Sequence, residues 1–520
     1  MNKYHIMFFF DYGKAFGGAV NALMQQAVLV KRAGHKTTIA ISSQDNSIGQ
    51  EYQDICIVNK IEYILLDYPI SSNPENIDIV SVVSNYESVK RKIEEYKPDI
   101  LHSVQINPIV ELVSRELYIP HIMNIYQMIP DFFSVPYIDI FPHYHICDSK
   151  YFAQQWHLYL RTDSVCIRTV ANYSCKNDGQ SLKEKKTINF ICVGVVCERK
   201  NQLNVIKAFH FVLQQGIEGV LYIYGYESGE YGELCKNYVK NNGLEKRVIF
   251  KGFCPDMGSE YKKNDVLICG STMESYPNVI SEALANGLIV ISTPVAGVPE
   301  VIEDGYNGYL CRDYSIEAIC DKIEQFDRDR KCGGVPKMMT NAYNTYEKYH
   351  SPEVIMKDLH KYYQYVLSDV RNFSDIGIED IKKIFSEVIG QYKDKYDFFT
   401  KPESVRLRLW YIHHIKKIVN GLVKDYSNKF YIWGTGKYAI VVNEILNIFF
   451  PELKLNGFID TYKEGKFCGL EVFQPDDLLM DSHNIIFVGV VKGQQEVIQV
   501  LERNCREYNR NYFLFATRGW

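Results

Sequence analysis

The chain of 520 residues is too long for one ordinary domain, and at roughly 150 residues per domain it predicts three to four domains. Hydrophobic residues make up 46% and charged residues 23%, which excludes a mostly disordered, collagen-like or coiled-coil chain. The net charge of −5 gives no indication of a nucleic-acid partner. No apolar run approaches the roughly 18 residues that span a bilayer.

Two further patterns bear on the cellular compartment. The N-terminal stretch 1–13 lacks the charged, apolar and small-residue order of a signal peptide, so we interpret it as a buried strand. The 14 cysteines are scattered, with no Cys-x-x-Cys and no histidine cluster at zinc spacing. We therefore expect free thiols, a cytoplasmic location and no metal site.

The first 175 residues alternate short apolar runs with amphipathic stretches, which is typical of a parallel sheet covered by helices on both faces. One helix is predicted over Gly18–Ala33, with apolar residues at helical spacing and a stop at Gly34. The predicted strands are Tyr4–Phe10, Lys36–Ile41, Glu62–Leu66, Asp99–Ser103, His121–Ile125 and His145–Cys147.

The same alternation restarts near Lys186, after a polar stretch at 177–186 that is typical of a linker. The predicted strands are Thr187–Val196, Gly219–Tyr224, Val248–Gly252, Val266–Cys269 and Leu288–Ser292. The predicted helices are Asn201–Gln214, Gly232–Asn241 and Tyr276–Asn286. This segment is therefore expected to form a second α/β domain.

After Asp313 the pattern becomes helical, and a third, smaller α/β unit follows. Helices are predicted over Ser351–Val370, Ser374–Gln391 and Ser404–Tyr426. The four predicted strands of the third unit are Phe430–Trp433, Leu455–Ile459, Ile485–Val490 and Tyr512–Phe515. The predicted domains are residues 1–178, 179–370 and 428–520, with a helical linker over 371–427.

The densest chemical signal lies in residues 264–310, where Glu274 falls in a loop after a buried strand and Glu282 on the next helix. Their spacing alone is uninformative, because chance produces roughly two such pairs in a chain of this composition. Pro277 is predicted to start the helix, which leaves the first backbone N–H groups free to bind an anion. A carboxylate on that helix can accept two hydrogen bonds from a ribose diol. The stretch therefore predicts a site for a nucleoside diphosphate.

The chain resembles family 4 of the retaining glycosyltransferases over about 350 residues, in the order and spacing of several motifs. The matching residues are Glu274, Glu282-Ala283-Leu284-Ala285-Asn286-Gly287, Gly297-Val298-Pro299-Glu300 and Gly305-Tyr306-Asn307-Gly308, and upstream Gly194, Lys200, Gly225 and Phe250–Phe253. The resemblance implies the GT-B architecture, in which two Rossmann-like domains face each other across a cleft. The expected fold is thus GT-B, followed by a helical linker and a small C-terminal Rossmann-like domain.

The family implies roles for individual residues. Lys200 would bind the donor diphosphate as a mobile point charge, Glu282 would hold the ribose hydroxyls, and Glu274 would lie near the donor sugar. Further donor contacts are implied at Gly17, Gly18, Gly194, Arg199, Gly252, Phe253, Tyr276, Pro277, Asn278 and Val279. The paired glycines of the first loop would admit backbone amides to the phosphates, with a plain tight turn as the alternative.

His102 lies at the end of a predicted strand, where many family members have a histidine that faces the cleft. On this basis His102 is predicted to be catalytic together with Glu274 and Lys200. The alternative interpretation is a strand-end histidine whose hydrogen bonds are satisfied inside the first domain.

Three positions depart from the family pattern. Val195 stands where the family usually has a second diphosphate-binding arginine, a loss that Arg199 compensates only if its side chain points the same way. Tyr126-Gln127 replaces a histidine that commonly contacts the donor sugar, and Ala296 replaces the first glycine of a pair. These departures leave a weak or inactive family member as an alternative.

The resemblance implies transfer of a hexose or N-acetylhexosamine from a nucleotide-diphosphate sugar, most commonly a UDP-sugar, with retention of anomeric configuration. Backbone amides, Lys200 and a helix dipole can neutralise the leaving diphosphate, so no metal or other cofactor is expected. The expected acceptor is a glycan or a lipid-linked intermediate of cell-surface polysaccharide assembly. The alternatives are a non-catalytic sugar-nucleotide-binding partner protein and a nucleotide-sugar epimerase of the same architecture.

Two features of the C-terminal third stand outside the family pattern. Gly434 and Gly436 follow a predicted strand and open a helix, and Asp460 ends the next strand, an order typical of dinucleotide sites. A second nucleotide site is one interpretation, and a structural or docking role toward another subunit or partner is the other. Residues 401–430 combine seven basic and two acidic side chains with an apolar stripe at helical spacing, which fits packing between domains or a helix on the inner face of a membrane.

Overall fold

The computed structural model describes most of the chain and contains three sheets flanked by helices. The described residues are 2–10, 18–42, 50–68, 79–104, 107–126, 142–160, 164–171, 182–227, 229–254, 256–369, 429–450, 453–481, 483–490, 493–504, 506 and 512–514. The predicted α/β fold, with two Rossmann-like halves and a smaller C-terminal sheet, is confirmed.

The first sheet has seven parallel strands in the order β3-β2-β1-β4-β5-β6-β7. These are β1 His5–Phe10, β2 Lys36–Ser42, β3 Glu62–Leu66, β4 Ile100–Val104, β5 His121–Ile125, β6 Tyr144–Cys147 and β7 Ser164–Cys166. Its helices are α1 Gly18–Arg32, α2 Gln50–Val58, α3 Ile79–Tyr96, α4 Pro108–Leu117 and α5 Lys150–Leu160. Successive residues of β1 enter different cores, Phe8 with α1 and Met7 with α3 and α4, as expected for a sheet covered on both faces.

The second sheet has six parallel strands in the order β10-β9-β8-β11-β12-β13. These are β8 Ile188–Val193, β9 Gly219–Tyr224, β10 Val248–Gly252, β11 Val266–Cys269, β12 Ile289–Ser292 and β13 Tyr309–Leu310. Its helices are α6 Gln202–Gln214, α7 Gly229–Asn241, α8 Met257–Tyr261, α9 Asn278–Ala285, α10 Ile316–Cys332 and α11 Val335–Tyr349. The strand order reverses between β8 and β11, so the carboxyl ends of these two strands form the topological switch point where ligands bind in such sheets.

Helix α12, Pro352–Ser368, returns from the second domain to the first sheet. Its residues Leu359, Tyr363 and Val366 are buried in the same core as Phe8. The helix begins after Ser351 with proline in its first turn, as predicted. This return joins the two α/β domains by packing as well as by the chain.

The C-terminal unit is a six-stranded sheet in the order β16-β17-β15-β14-β18-β19, and only the β16–β17 pair is antiparallel. Its strands are β14 Lys429–Trp433, β15 Leu455–Ile459, β16 Gly465–Phe467, β17 Leu470–Phe473, β18 Asn484–Val488 and β19 Tyr512–Leu514. Its helices are α13 Lys437–Phe449, α14 Pro475–Leu478 and α15 Gln494–Arg503. The prediction of four strands is wrong, because it missed the edge hairpin of β16 and β17, whose strands of three and four residues are too short for a clear pattern.

Several predictions fall outside the described residues. These are the helices over 374–391 and 404–426, the basic stretch up to residue 428, and the domain boundaries near 178, 370 and 427. Among the described helices, none has the length and apolar character needed to cross a membrane. The cysteines within the described ranges are free thiols.

Candidate active site

The loops after β8 and β9 come into close contact beside the switch point. Gly194 and Gly225 have φ angles of +138° and +137°. A Cβ atom on Gly225 would lie 2.0 Å from the carbonyl oxygen of Gly194, so only glycine fits there. A Cβ atom on Gly194 would lie 3.1 Å from Cε of Lys200. The two glycines therefore let the loops cross and leave room for the lysine side chain.

Lys200 and Arg199 converge on Glu274. Lys200 Nζ lies 2.5 Å, and Arg199 Nη1 lies 2.9 Å, from Glu274 Oε1. The loops that carry them are pinned together, since the backbone N–H of Thr272 donates to the Arg199 carbonyl oxygen at 2.9 Å and Arg199 Nη1 donates to the Met273 carbonyl oxygen at 3.1 Å. Arg199 thus points to the same place as Lys200, the condition that the sequence left open.

The Glu274 carboxylate is held in its ionised form. Burial acts to raise its pKa, but Lys200 and Arg199, together with a hydrogen bond from Ser271, outweigh burial and lower the pKa below its ordinary value. Two cations against one carboxylate leave a net positive group at the carboxyl ends of β8 and β11. Such a group is suited to an anionic ligand.

Helix α9 begins at Asn278, directly after Pro277 and two residues later than the predicted start at Tyr276. Pro277 gives the helix no side-chain cap, so the first N–H groups stay available for a ligand. Asn278 Nδ2 donates to the carbonyl oxygen of Gly18 at 3.0 Å, which brings the start of α1 in the first domain next to α9. Gly17 lies outside the described residues.

Three further predicted donor residues lie on or just before α9. Glu282 Oε2 accepts a hydrogen bond from the buried Tyr261 hydroxyl at 2.7 Å, which orients the carboxylate. Val279 is partly buried against the core of the second domain. Tyr276 is 3% exposed, and its hydroxyl lies 3.0 Å from Nε2 of His350. Tyr276 therefore packs beneath this region and supports it.

An exposed aromatic pair lies at the ends of β9 and β10, and the sequence predicted only one of its members, Phe253, as a donor contact. Tyr226 and Phe253 are 61% and 37% exposed, and their rings stack with centroids 4.8 Å apart and planes 6° apart. The loops that carry them are joined by a hydrogen bond from Gly225 N–H to the Gly252 carbonyl oxygen at 2.8 Å. The only sequence signal for Tyr226 was its position directly after Gly225.

His102 lies apart from the group around Glu274. Its ring is fully buried in the first domain, with Nε2 at 2.8 Å from Asn124 Oδ1 and Nδ1 at 3.3 Å from the Tyr363 hydroxyl. Burial lowers the pKa of His102 to about 4, so the ring is neutral near pH 7. With both nitrogens engaged inside the core, this placement favours the structural interpretation of His102.

Residues 175–346, which include the Glu274 group, match the sequence model of the family described as glycosyl transferases group 1. This match covers 172 of the 520 residues, and the matched segment is called the glycosyltransferase domain below for this similarity. Two curated relatives are 30% identical over 166 and 176 residues, the poly(glycerol-phosphate) alpha-glucosyltransferase of Bacillus subtilis (strain 168) and the N-acetyl-alpha-D-glucosaminyl L-malate synthase of Bacillus anthracis. The alignments cover 32% and 33% of this chain but only 24% and 44% of the relatives, so the chain spans less than half the length of either.

Solved structures extend the likeness beyond the glycosyltransferase domain. A glycosyltransferase from Rickettsia africae ESF-5 superposes with a TM-score of 0.60 at 16% identity, and Anabaena Alr3699/HepE in complex with UDP with a TM-score of 0.57 at 17% identity. They match 71% and 69% of this chain and 100% of their own. At these identities the likeness establishes the fold, which is GT-B.

The glycosyltransferase domain also contacts the first domain through Glu300. Its two carboxylate oxygens accept hydrogen bonds from the backbone N–H groups of Tyr151 at 2.7 Å and Lys150 at 3.1 Å, in the first turn of α5. Arg168 Nη2 pairs with the same carboxylate at 2.7 Å. The sequence placed Glu300 in a family motif but gave no sign of these partners, which lie more than 130 residues away.

The three residues predicted for a second nucleotide site lie together at the carboxyl edge of the third sheet. Gly434 has φ of +121°, and a Cβ atom there would lie 2.5 Å from Val490. A Cβ atom on Gly436, which precedes α13, would meet no atom within 4 Å. Asp460 accepts a hydrogen bond from Thr435 Oγ1 at 2.6 Å. The strand order reverses here between β14 and β18, so the residues border a second switch point.

Proposed function

We propose that this protein is a retaining glycosyltransferase that moves a sugar from a UDP-sugar to a glycan or lipid-linked acceptor in cell-surface polysaccharide assembly. The observation that carries the proposal is the convergence of Lys200 and Arg199 on the ionised Glu274 at the switch point of the glycosyltransferase domain. Structures of similar fold with UDP-glucose, or with UDP and GlcNAc, support a UDP-linked donor. The acceptor class is supported by relatives named for poly(glycerol-phosphate) and for colanic acid biosynthesis.

The positive group is assigned to the leaving diphosphate. Lys200 and Arg199 neutralise the charge that builds up on the phosphates, and the uncapped start of α9 adds backbone N–H donors. Transfer is therefore expected to proceed without a metal ion. When the diphosphate binds, Lys200 exchanges part of its contact with Glu274 for a phosphate oxygen, and Glu274 is left as an ionised carboxylate beside the donor sugar.

Glu274 is assigned to the positive charge of the transition state. Breaking the bond between the anomeric carbon and the diphosphate oxygen gives the sugar ring oxocarbenium character, which a nearby carboxylate stabilises. The low pKa of Glu274 ensures that this carboxylate is charged at neutral pH. Its ionised state serves electrostatic stabilisation, and we assign no covalent nucleophile.

The nucleoside is assigned to two parts of the second domain, the ribose to Glu282 and the base to the stacked rings of Tyr226 and Phe253. The Glu282 carboxylate, oriented by Tyr261, accepts hydrogen bonds from the two ribose hydroxyl groups. The stacked pair of Tyr226 and Phe253 offers an exposed flat surface near the backbone of Gly252, which suits the base. Gly18, held against Asn278, brings the first domain to the phosphates.

The test is incubation with UDP- and GDP-sugars, with and without acceptor extracts, and measurement of the free nucleotide released. We expect turnover with a UDP-sugar that Lys200→Ala lowers by about 100-fold or more and that EDTA leaves unchanged. NMR of the glycosidic product is expected to show the anomeric configuration of the donor. Lys322→Ala is the matched control, because Lys322 lies 2.6 Å from Asp304 in the same domain, outside the Glu274 group.

The other outcomes identify the alternatives. Donor binding without turnover, even with acceptor extracts, would show a sugar-nucleotide-binding partner protein. Recovery of an epimerised donor would show an epimerase of the same architecture. An inverted product would leave glycosyl transfer in place and overturn the retaining mechanism.

We also propose that the third sheet binds a nucleotide or sugar nucleotide beside Gly436 and Asp460. Gly434 is required by the fold, since a side chain there would collide with Val490. Gly436 has no such requirement, because the space around it is open, so the missing side chain keeps the start of α13 accessible.

A further inference from the structure

The first domain holds the residue that directly follows Glu274. Ser275 Oγ donates to Asp148 Oδ2 at 2.7 Å, and Ser149 Oγ donates to the Ser275 carbonyl oxygen at 3.2 Å. Asp148 and Ser149 lie between β6 and α5, whereas Ser275 lies between β11 and α9. One residue of the donor-site loop is therefore held at its side chain and at its backbone by the opposite domain.

Asp148 is an unusual residue for a plain domain contact. It is 1% exposed, and no other described residue donates a hydrogen bond to its second carboxylate oxygen, Oδ1. Arg168 Nη1 donates to the backbone carbonyl oxygen of Asp148 at 3.3 Å, whereas Arg168 Nη2 pairs with Glu300, and within the described ranges no salt bridge to the Asp148 carboxylate is present. A buried carboxyl with an unmatched oxygen costs folding free energy. A serine or an asparagine could accept the same hydrogen bond from Ser275 with less loss.

Burial raises the pKa of Asp148 to about 7. The hydrogen bond from Ser275, the backbone N–H of Asp148 itself and the charge of Arg168 lower the pKa, and the charge of Glu274 adds to the effect of burial. The titratable and charged groups around it are Tyr126, Cys147, Cys166, Arg168, Glu274 and Tyr276.

We propose that Asp148 is a positioning residue that couples contact between the two domains to the placement of Glu274. The proposal rests on the function assigned above, in which Glu274 faces the donor sugar. When the domains separate, Ser275 loses both bonds from the first domain and keeps the bond that its carbonyl oxygen accepts from Gly297 N–H at 3.3 Å within its own domain. The loop that carries Glu274 is then held only by contacts within its own domain. The placement of Glu274 therefore depends on contact between the two domains.

The same interface offers a matched comparison. Glu300 joins the two domains through Arg168 and the first turn of α5, and among the described residues none of its hydrogen bonds or ion pairs involves Ser275. Glu300→Gln therefore weakens the domain contact without removing a bond to the Glu274 loop. Ser275→Ala and Asp148→Ala each remove the bond in question, from opposite sides.

The experiment compares the full-length wild type with Asp148→Ala, Ser275→Ala, the double variant, Asp148→Asn and Glu300→Gln. We expect Asp148→Ala and Ser275→Ala each to lower kcat by about 10- to 100-fold, because a small misplacement of a reacting group is enough for such a loss. The double variant is expected to lose no more than either single variant. Affinity for UDP, measured by calorimetry, is expected to stay within about 3-fold in all of them, since Lys200 and Glu282 are intact.

Asp148→Asn distinguishes positioning from bulk packing. It keeps an acceptor for Ser275 Oγ, so it is expected to retain most of the kcat at pH 7 and to lose the inflection of the kcat–pH profile near that pH. Additive losses, an Asp148→Asn profile identical to that of the wild type, or a loss in Glu300→Gln equal to that in Asp148→Ala would each overturn the proposal.

A second readout is independent of turnover. Hydrogen exchange of the segment 271–276 is expected to be faster in Asp148→Ala and Ser275→Ala than in Glu300→Gln, because only the first two release Ser275. If no donor is turned over by the wild type, the proposed function fails while this exchange pattern still tests the coupling. Equal exchange in all variants would overturn the coupling even in an active transferase.

Discussion

Lys200 Nζ lies 2.5 Å from Glu274 Oε1, and the two side chains are only 14% and 12% exposed. The lysine ends a short 3-10 helix after β8, and the glutamate lies in the loop after β11. The pair therefore spans the switch point of the second sheet. Removing one member of such a pair leaves the other charge buried. The pair thus links the two loops, and its lysine can also bind an anionic ligand.

Lys200→Ala is expected to lower donor turnover by about 100-fold or more, since it removes one of the two cations assigned to the diphosphate. It should also raise the pKa of Glu274, because burial would then be opposed chiefly by Arg199, which is 43% exposed. Glu274 must be ionised to act, so the acidic limb of the kcat–pH profile is expected to move to higher pH. Steady-state kinetics over a pH series measures both effects.

Two variants make this prediction specific to the Glu274 group. Lys322→Ala breaks a lysine–carboxylate pair of similar length elsewhere in the domain and is expected to leave turnover and its pH profile unchanged. Arg199→Ala is expected to lose less than Lys200→Ala, because its guanidinium is more exposed. Full turnover in Lys200→Ala would contradict the assignment of the diphosphate to this group.

Adjacent residues in the loop after β12 are expected to respond oppositely to substitution. Ala296 has φ of +44°, a left-handed conformation that costs a non-glycine residue about 1–2 kcal/mol. Ala296→Gly relieves this strain and loses part of the gain to the greater freedom of glycine in the unfolded chain, so a net stabilisation of about 0.5–1 kcal/mol is expected. Calorimetry should show a rise in Tm of about 1–4 °C.

Gly297→Ala is the converse of that change. A Cβ atom on Gly297 would lie 2.3 Å from Cβ of Ser149 in the first domain, so the loop or the domain contact must shift. A lower Tm and faster proteolysis between the domains are expected. If Ala296→Gly lowered the Tm as Gly297→Ala does, the left-handed strain would not be the controlling factor at position 296.

The sequence predicted the strands well because central parallel strands are buried on both faces and form short apolar runs, as in Val266–Cys269. The position of Lys200 and Glu274 followed from the family resemblance, and their contact follows from the switch point. The direction of His102 could not be predicted, because it depends on Tyr363 of α12, which returns to the first sheet 261 residues later. The bond between Asp148 and Ser275 was equally hidden, since it depends on how two domains meet.

Asp148 is expected to make the stability of the protein depend on pH. Its pKa rises from 3.8 to about 7 on folding, so between these values the folded state binds more protons than the unfolded state. Stability from this group is therefore greatest at low pH, falls by about 1.4 kcal/mol per pH unit as pH rises through this window, and is level above it. Asp148→Asn removes the group, so the Tm of the variant minus that of the wild type should increase up to about pH 7.

Ser275→Ala is the control for this pH dependence, because it retains the Asp148 carboxyl. Loss of the serine hydroxyl removes an effect that lowers the pKa of Asp148, so the slope should persist and extend to higher pH. Calorimetric Tm values across a pH series measure both variants. Parallel curves for the wild type and Asp148→Asn would contradict the raised pKa.

The third sheet offers a test in which folding and binding separate at two glycines. Gly434→Ala would place a Cβ atom 2.5 Å from Val490 at a residue with φ of +121°, so it is expected to unfold the C-terminal unit. Gly436→Ala meets no atom within 4 Å and has φ of −111°, so the fold and the Tm are expected to be preserved. Its added methyl group lies at the start of α13, where we place the phosphates of a nucleotide.

Calorimetric titration with UDP and with adenine dinucleotides should therefore show a binding step that survives Lys200→Ala and is weakened about 10-fold or more by Gly436→Ala. A single binding step that Lys200→Ala abolishes would assign all nucleotide binding to the glycosyltransferase domain and leave the third sheet a structural or docking role.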